Sequence, residues 1–180
     1  MWAGRHLSAE AERLVTQANV FLALGANLGD RVGQLRRALG LLGPACSLSL
    51  ISPCYETEPA YVLDQPRFLN LVCQATTTLD PLALLRLLKQ IESEIGRVPG
   101  PRFGPRLVDL DVLFYDDLIL DTPELTIPHS RIAERAFVLV PLADIAPDLW
   151  HPTLGRTIRA LRDDLDAQWR DLRRVEEVIV

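Results

Sequence analysis

Apolar positions recur with two different periods along this chain, and the switches between them mark its elements. Val20-Phe21-Leu22-Ala23-Leu24 is a short continuous apolar run and predicts a buried strand. Gly25-Ala26-Asn27-Leu28-Gly29-Asp30 follows as a tight turn. Asp30 is placed to cap a helix from about Arg31 to Leu42, with Val32, Leu35, Leu39 and Leu42 on one face, and Gly43-Pro44 ends it. A second strand is predicted from Ser47 to Tyr55, with Leu48, Leu50 and Pro53 along it. A third runs from Phe68 to Thr78, after a loop that contains Pro59 and Pro66. Asp80-Pro81 opens a second helix. Pro81 suits its first turn, Leu84, Leu87, Leu88, Ile91 and Ile95 form its apolar stripe, and Gly96 stops it. After a Pro/Gly-rich loop from Arg97 to Arg106 the period returns to two, with Val108, Leu110 and Val112 alternating with Asp109 and Asp111. Beyond that strand the pattern predicts a hairpin around Asp116-Asp117, an irregular stretch from Thr126 to Arg135, and a short helix from Ala136 to Ala143. A charged helix is predicted from Gly155 onward, with Leu161, Leu165, Trp169 and Leu172 at helical spacing.

The order is β-α-β-β-α-β with further C-terminal elements. It predicts an α+β fold of the ferredoxin-like kind: a mostly antiparallel sheet with the helices packed on one face, in a single domain covering residues 1–180. No internal repeat or linker divides the chain. A hydrophobic content of 48% and a charged content of 24% fit an ordinary globular domain with a core of its own. No apolar run approaches the roughly 18 residues of a membrane span, and residues 1–19 lack the apolar block of a secretion signal. Cys46, Cys54 and Cys73 form no Cys-x-x-Cys pair and read as reduced core thiols, so the expected compartment is cytoplasmic. The net charge of −5 argues against a broad nucleic-acid surface, though not against a nucleotide whose phosphates meet local cations.

The strongest chemical signal is Arg102-Phe103-Gly104-Pro105-Arg106-Leu107-Val108-Asp109-Leu110-Asp111. On a strand, Asp109 and Asp111 point to the same face, about 6.5–7 Å apart along the chain. Like charges so placed call for a cation or solvent between them. Mg²⁺ takes one or two carboxylates together with substrate phosphates, and Arg97, Arg102 and Arg106 are suited to grip such phosphates. An Asp-x-Asp pair alone is better explained by a solvated strand face; the flanking arginines and Gly-Pro turn reverse that preference toward phosphoryl transfer. His129 shares its neighbourhood with Arg131 and Arg135, which makes a phosphate-facing role credible, whereas His6 and His151 read as structural. Asn70 in an otherwise apolar strand needs hydrogen-bond partners and could read a heterocycle edge. Phe68 and Phe137 could offer stacking faces, but spacing alone makes both core residues, and Gly25 to Gly29 reads as a structural turn rather than a phosphate loop. A metal-dependent nucleotide hydrolase would use the same carboxylates. A ferredoxin-like RNA-binding module would want a basic surface and exposed strand aromatics, which this chain lacks.

Taken together, these blocks closely resemble the 6-hydroxymethyl-7,8-dihydropterin pyrophosphokinase family of folate biosynthesis. The resemblance rests on Leu24-Gly25-Ala26-Asn27-Leu28-Gly29, Tyr55-Glu56-Thr57-Glu58-Pro59 and Asp64-Gln65-Pro66-Arg67-Phe68-Leu69-Asn70. It continues through the arginine–aspartate signature, Leu125-Thr126-Ile127-Pro128-His129 and Arg135-Ala136-Phe137-Val138-Leu139, and covers about residues 20–152. An N-terminal extension (1–19) and a helical tail (about 155–180) lie outside it. It implies transfer of a pyrophosphoryl group from ATP to the pterin hydroxymethyl with release of AMP, assisted by two Mg²⁺ ions on Asp109 and Asp111, in a monomer that needs neither nucleic acid nor membrane. It implies a pterin held by Thr57, Ala60, Phe68, Asn70 and Phe137, and ATP met by Glu92, Arg97, Arg106, Val112, His129 and Arg135, with Arg97 and Arg106 assisting transfer. Against the family pattern, Phe103 stands where a tryptophan is usual, the loop is one residue shorter, and Pro99 replaces an arginine, for which Arg102 is the substitute candidate.

Overall fold

The structure is a computed structural model that describes residues 17–60, 62–98, 100, 104–165 and 172–175. Strand β1 (Ala18–Ala26) leads to helix α1 (Arg31–Leu42), strands β2 (Cys46–Ile51), β3 (Cys54–Thr57) and β4 (Phe68–Thr77), helix α2 (Pro81–Ile95) and strand β5 (Asp109–Tyr115). Short strands β6 (Leu120–Asp121) and β7 (Thr126–Ile127) follow. Then come helix α3 (Ala136–Ile145), strands β8 (Trp150–His151) and β9 (Arg156–Thr157), helix α4 (Ile158–Asp163) and strand β10 (Arg173–Val175). The main sheet runs β10-β3-β4-β1-β5, with β2 sharing β4's outer edge with β3, and every pairing is antiparallel. This is the ferredoxin-like arrangement the element order predicted.

The helix ends form where the sequence places their caps. Asp30 accepts a hydrogen bond from Gly33 N (2.9 Å) and Asp80 from Ala83 N (2.7 Å), each satisfying a donor that the first helical turn leaves open. Gly96 closes α2 at φ 108°, where a side chain would be strained, and turns the chain so that Arg97 enters the loop beside β5.

Strict alternation on β1 and β4 divides the core in two. Val20, Leu22, Leu24 and Ala26, with Leu69, Leu71, Cys73 and Ala75, pack against the stripes of α1 and α2. Phe21, Val72, Leu113 and Phe114 face the other way, against α3 and α4 through Val138, Leu139, Leu142, Ile158 and Leu161. Helices therefore cover both faces of the sheet, not the one face the sequence suggested. The C-terminal elements had no clear apolar surface to dock on in sequence, and it is the second face of β1, β4 and β5 that receives them.

Three further expectations are corrected. The single strand from Ser47 to Tyr55 is two strands. Pro53 lacks an N–H, and the chain bends there while Ser52 keeps the link to β4, its N donating to Val72 O (2.9 Å) and its Oγ accepting from Val72 N (3.0 Å). The hairpin lies one step later than Asp116-Asp117: β6 pairs with β7, around a turn held by Thr122 Oγ1, which accepts from Leu125 N and donates to Leu125 O. The C-terminal tail is not one long helix. Residues 158–163 are helical, but Arg173–Val175 form a strand on the free edge of β3, and Trp169 lies outside the described residues. Among the described residues no helix is long and apolar enough to cross a membrane.

Candidate active site

On the second face of the sheet, side chains shrink along β1 from Phe21 to Ala23 to Gly25. At the Phe21 end α3 and α4 fill the space; at the Gly25 end a cavity of about 300 Å³ remains, within the range of small-molecule sites. Register explains its floor. Gly25 is paired with Asn70 on β4 and with Asp109 on β5, and Ala23 with Asp111, so one carboxamide and two carboxylates meet over a strand that offers almost no side chain. Gly25 is thus a strand residue, not part of a turn. A Cβ built on it would stand 2.8 Å from Asn70 Oδ1, closer than atoms can approach without movement.

One side of the cavity suits a flat heterocycle. Asn70 and Thr57 are both buried, and Asn70 Nδ2 donates to Thr57 Oγ1 (2.8 Å), which fixes the carboxamide's orientation. Ala60, Phe68 and Phe137 line this side with Glu58 and Gln65. Both phenylalanines are half-buried on the cavity wall rather than sealed in the core, and the Arg135 guanidinium lies 5.6 Å from the Phe137 ring centroid. Glu58 pairs with Arg67 across the base of the β3–β4 connection.

The other side is charged. Asp109 is gripped through both oxygens, Oδ1 by Arg97 (2.6 Å) and Oδ2 by Arg106 (2.7 Å). Burial raises its carboxyl, but Arg106, Arg97 and Lys89 outweigh burial and hold it below the usual carboxylate range. Burial opposes the Arg97 charge, yet Asp109 and Glu92 together raise its guanidinium above the ordinary value. Asp111 lies 3.7 Å from Arg135 Nη1 and 3.9 Å from His129 Nε2, both beyond hydrogen-bonding distance. His129 is pushed below the ordinary imidazole value by burial first; Asp111 pulls the other way and Arg135 adds to the lowering, so the ring is neutral at physiological pH. Its Nδ1 accepts from Arg131 N (3.1 Å), which leaves the proton on Nε2, turned toward Asp111. Arg135 Nε is buried without a hydrogen-bond partner, a donor in want of an acceptor.

Two of the residues assigned from sequence stand apart. Glu92 does not line the cavity. It is buried beneath, accepting from Lys89 Nζ (2.7 Å), Leu110 N (2.8 Å) and Arg97 (2.6 Å), so it acts on the cavity through the arginine and the edge of β5. Val112 places its side chain in the core beneath α1 and α2, and only its backbone is available at the sheet edge. Arg102, Phe103 and Pro99 lie outside the described residues. Asn27 was read as part of a turn; it is buried and holds two loops together. Its Nδ2 donates to Gln65 Oε1 (3.0 Å) and Pro66 O (3.1 Å), its Oδ1 accepts from Arg106 N (2.8 Å), and its N donates to Arg106 O (3.2 Å).

Among the described residues no cluster of three or more His, Cys, Asp or Glu side chains could hold a metal alone. Asp109 and Asp111 offer oxygen donors only, and too few to complete a shell. That combination fits a hard cation that brings phosphate oxygens and water as its remaining ligands, as Mg²⁺ does.

The family profile described as 7,8-dihydro-6-hydroxymethylpterin-pyrophosphokinase (HPPK) matches residues 21–147, well over half of the chain. The chain belongs to this family. A Pseudomonas aeruginosa 2-amino-4-hydroxy-6-hydroxymethyldihydropteridine pyrophosphokinase is 47% identical over 135 residues, covering 74% of this chain and 83% of that protein. The Schizosaccharomyces pombe folic acid synthesis protein fol1 is 42% identical over 150 residues, 82% of this chain but 20% of its own length. The chain thus spans about a fifth of the length of that larger folate protein. The crystal structure of wild-type Plasmodium falciparum HPPK-DHPS with pteroate superposes with a TM-score of 0.68 at 21% identity, over 82% of this chain and 42% of that one, a likeness of fold. Within the HPPK family frame, the cavity residues that sequence reasoning missed include Ala23, Gly25, Glu58 and Gln65. The falling side-chain size along Phe21, Ala23 and Gly25 was a signal that could have found the first two. Gln65 carries no comparable mark.

Proposed function

We propose that this chain transfers pyrophosphate from ATP to 6-hydroxymethyl-7,8-dihydropterin, giving the pterin diphosphate and AMP. The observation that carries the reading is the division of one cavity. Phe68, Phe137, Asn70 and Thr57 line the side fit for a heterocycle, while Asp109, Asp111, Arg97, Arg106, Arg135 and His129 line the side fit for phosphates. The pterin lies against the aromatic rings with Asn70 and the backbone near Thr57 and Ala60 reading its edge, so its hydroxymethyl group points toward the carboxylates. Arg97, Arg106 and Arg135 bind the triphosphate, and the neutral His129 donates to it through Nε2. Val112 meets the nucleotide through its backbone on the free edge of β5, and Glu92 keeps Arg97 in place from below. Asp109 and Asp111 would hold two Mg²⁺ ions, which would neutralise phosphate charge and favour the alkoxide character of the acceptor.

The hydroxyl oxygen attacks the β-phosphorus in line, the bond from that phosphorus to the bridging oxygen of AMP breaks, and the hydroxyl proton passes to solvent. Positioning and charge complementarity supply the acceleration, and no side chain is assigned as a base. The buried thiols Cys46, Cys54 and Cys73 form no disulfide, which supports action in the reducing cytoplasm. The test is AMP release from ATP with and without the dihydropterin. Release that depends on the pterin supports the reading. Pterin-independent release at the full rate would make the chain a nucleotide hydrolase.

A further inference from the structure

Five side chains form a row of alternating sign at the charged side of the cavity, four on its wall and Glu92 buried beneath. Lys89 Nζ meets Glu92 Oε1 at 2.7 Å, and Glu92 Oε2 meets Arg97 Nη1 at 2.6 Å. Arg97 Nη1 meets Asp109 Oδ1 at 2.6 Å, and Asp109 Oδ2 meets Arg106 Nη1 at 2.7 Å. Every carboxylate oxygen of Asp109 is therefore engaged by a guanidinium, and two of the three guanidinium groups suited to phosphate, Arg97 and Arg106, are engaged by it. Asp111 differs: its nearest cation is Arg135, at 3.7 Å.

We infer that Asp109 with Arg97 and Arg106 forms an ion-exchange latch that selects the metal–triphosphate pair over either component alone. The inference rests on the reading of the cavity given above. A bare cation reaching Asp109 would have to displace two arginines, leaving Arg106 partly buried without a counter-ion and Arg97 with Glu92 alone, which is costly. A metal-free triphosphate reaching Arg97 and Arg106 would strip Asp109 of its partners and set a carboxylate beside phosphates. When both arrive, the exchange balances: the cation takes the carboxylate and the phosphates take the arginines. Cation and triphosphate then strengthen each other's binding by one common factor, because linkage is reciprocal. Arg97 and Arg106 are specificity-determining in this sense, beyond any contact with the transferred group.

The consequence runs against simple expectation. Removing a cation from a nucleotide site should tighten its grip on a bare metal ion, and removing a metal-binding carboxylate should tighten its grip on metal-free nucleotide. The test uses the full chain, Mn²⁺ followed by electron paramagnetic resonance, and α,β-methylene-ATP, which cannot be cleaved at the bond in question. Arg106→Met should raise the affinity for Mn²⁺ alone about tenfold over wild type. Asp109→Asn should raise the affinity for α,β-methylene-ATP in EDTA by a similar factor, about tenfold.

Asp111→Asn makes the same change of charge two residues away but frees only Arg135, which stands 3.7 Å off and beyond hydrogen-bonding distance, so its gain should be clearly smaller. Equal gains at both positions would reduce the effect to net charge and overturn the latch, as would unchanged or weaker binding in Arg106→Met. Circular dichroism checks that each variant folds. If one does not, wild type alone decides: Mn²⁺ and the analogue must tighten each other at least about fivefold, and independent binding overturns the proposal. Pterin-dependent AMP release by wild type is scored separately. Its absence alongside strong coupling would sink the functional reading while the latch stood.

Discussion

On the face of the sheet that carries α1 and α2, β1 contributes Val20, Leu22, Leu24 and Ala26, all buried; on the opposite face the same strand contributes Phe21, Ala23 and Gly25. The first face is apolar along its whole length and is closed by two amphipathic helices. The second changes character along its length. Under α3 and α4 it is core, and from Ala23 onward it becomes the floor of a cavity bearing Asn70, Asp109 and Asp111. A strand cannot serve both purposes on one face at one position, and the period of two lets it serve stability on one side and chemistry on the other. Damage to the two faces should therefore separate cleanly into lost stability and lost activity.

The largest effect belongs to the polar end. Asp109→Ala or Asp111→Ala should lower pyrophosphoryl transfer on the order of a thousandfold, because on the proposed reading each removes a ligand of the cations that would neutralise the developing phosphate charge. The thermal midpoint should move little in Asp111→Ala and fall further in Asp109→Ala, which leaves Arg106 without its counter-ion. AMP release and a melting curve on the same preparation check both halves, and near-normal turnover in either variant would remove these residues from the site. On the helix face the pattern should invert. Leu88 is fully buried on α2, and Leu88→Ala should cost about 2–5 kcal/mol through lost transfer energy and the cavity left behind. Turnover per folded molecule should stay at the wild-type level. Urea denaturation gives the first quantity, and a rate corrected for folded fraction gives the second.

The helix face was the legible one. A repeat of Leu84, Leu87, Leu88, Ile91 and Ile95 between Asp80-Pro81 and Gly96 states a helix, its ends and its buried side within a single window. The Asp109/Asp111 face was legible for the same reason, since alternation alone sets both carboxylates on one side. What the sequence concealed depends on register between segments far apart. Nothing near Gly25 reveals that Asn70 lies on one side of it and Asp109 on the other, and nothing near Phe68 or Phe137 distinguishes a cavity wall from a core. Asn27 looked like a turn residue because its partners Gln65, Pro66 and Arg106 belong to loops remote in sequence. The tail misled for a related reason: helical spacing of Leu161, Leu165 and Leu172 says nothing of an open edge on β3 waiting to take a strand.

Gly25 allows the comparison to be sharpened at one atom. Gly25→Ala puts a methyl group 2.8 Å from Asn70 Oδ1, and because Asn70 is buried and tied to Thr57 the carboxamide must turn or shift. The Michaelis constant for the dihydropterin should rise about tenfold while that for ATP changes little, since misplacing a positioning group weakens one substrate's alignment. In the double variant with Asn70→Ala the methyl group has nothing left to displace. The double should then bind pterin no worse than Asn70→Ala alone, a non-additivity that steady-state kinetics can measure. Additive losses would mean that Gly25 matters for the strand rather than for the carboxamide.

The smallest effect compares the two ends of the second face through their histidines. His129 borders the cavity and His151 lies buried edge-on to Phe114, 5.4 Å between ring centroids. Burial lowers both below the ordinary imidazole value; at His129 Asp111 opposes it and Arg135 reinforces it, and at His151 a backbone hydrogen bond opposes it. The folded chain therefore takes up these protons less readily than the unfolded chain. The stability each contributes is fully present above the unfolded imidazole value of about 6.5 and is lost as pH falls through the folded value. His129→Gln and His151→Gln should each flatten the decline of the urea midpoint on the acid side of that value. Only His129→Gln should also weaken ATP binding at neutral pH, because only that ring presents Nε2–H to the cavity. A His151→Gln variant with altered ATP affinity would show that the core end and the cavity end of this face are coupled, and the division drawn between them would fail.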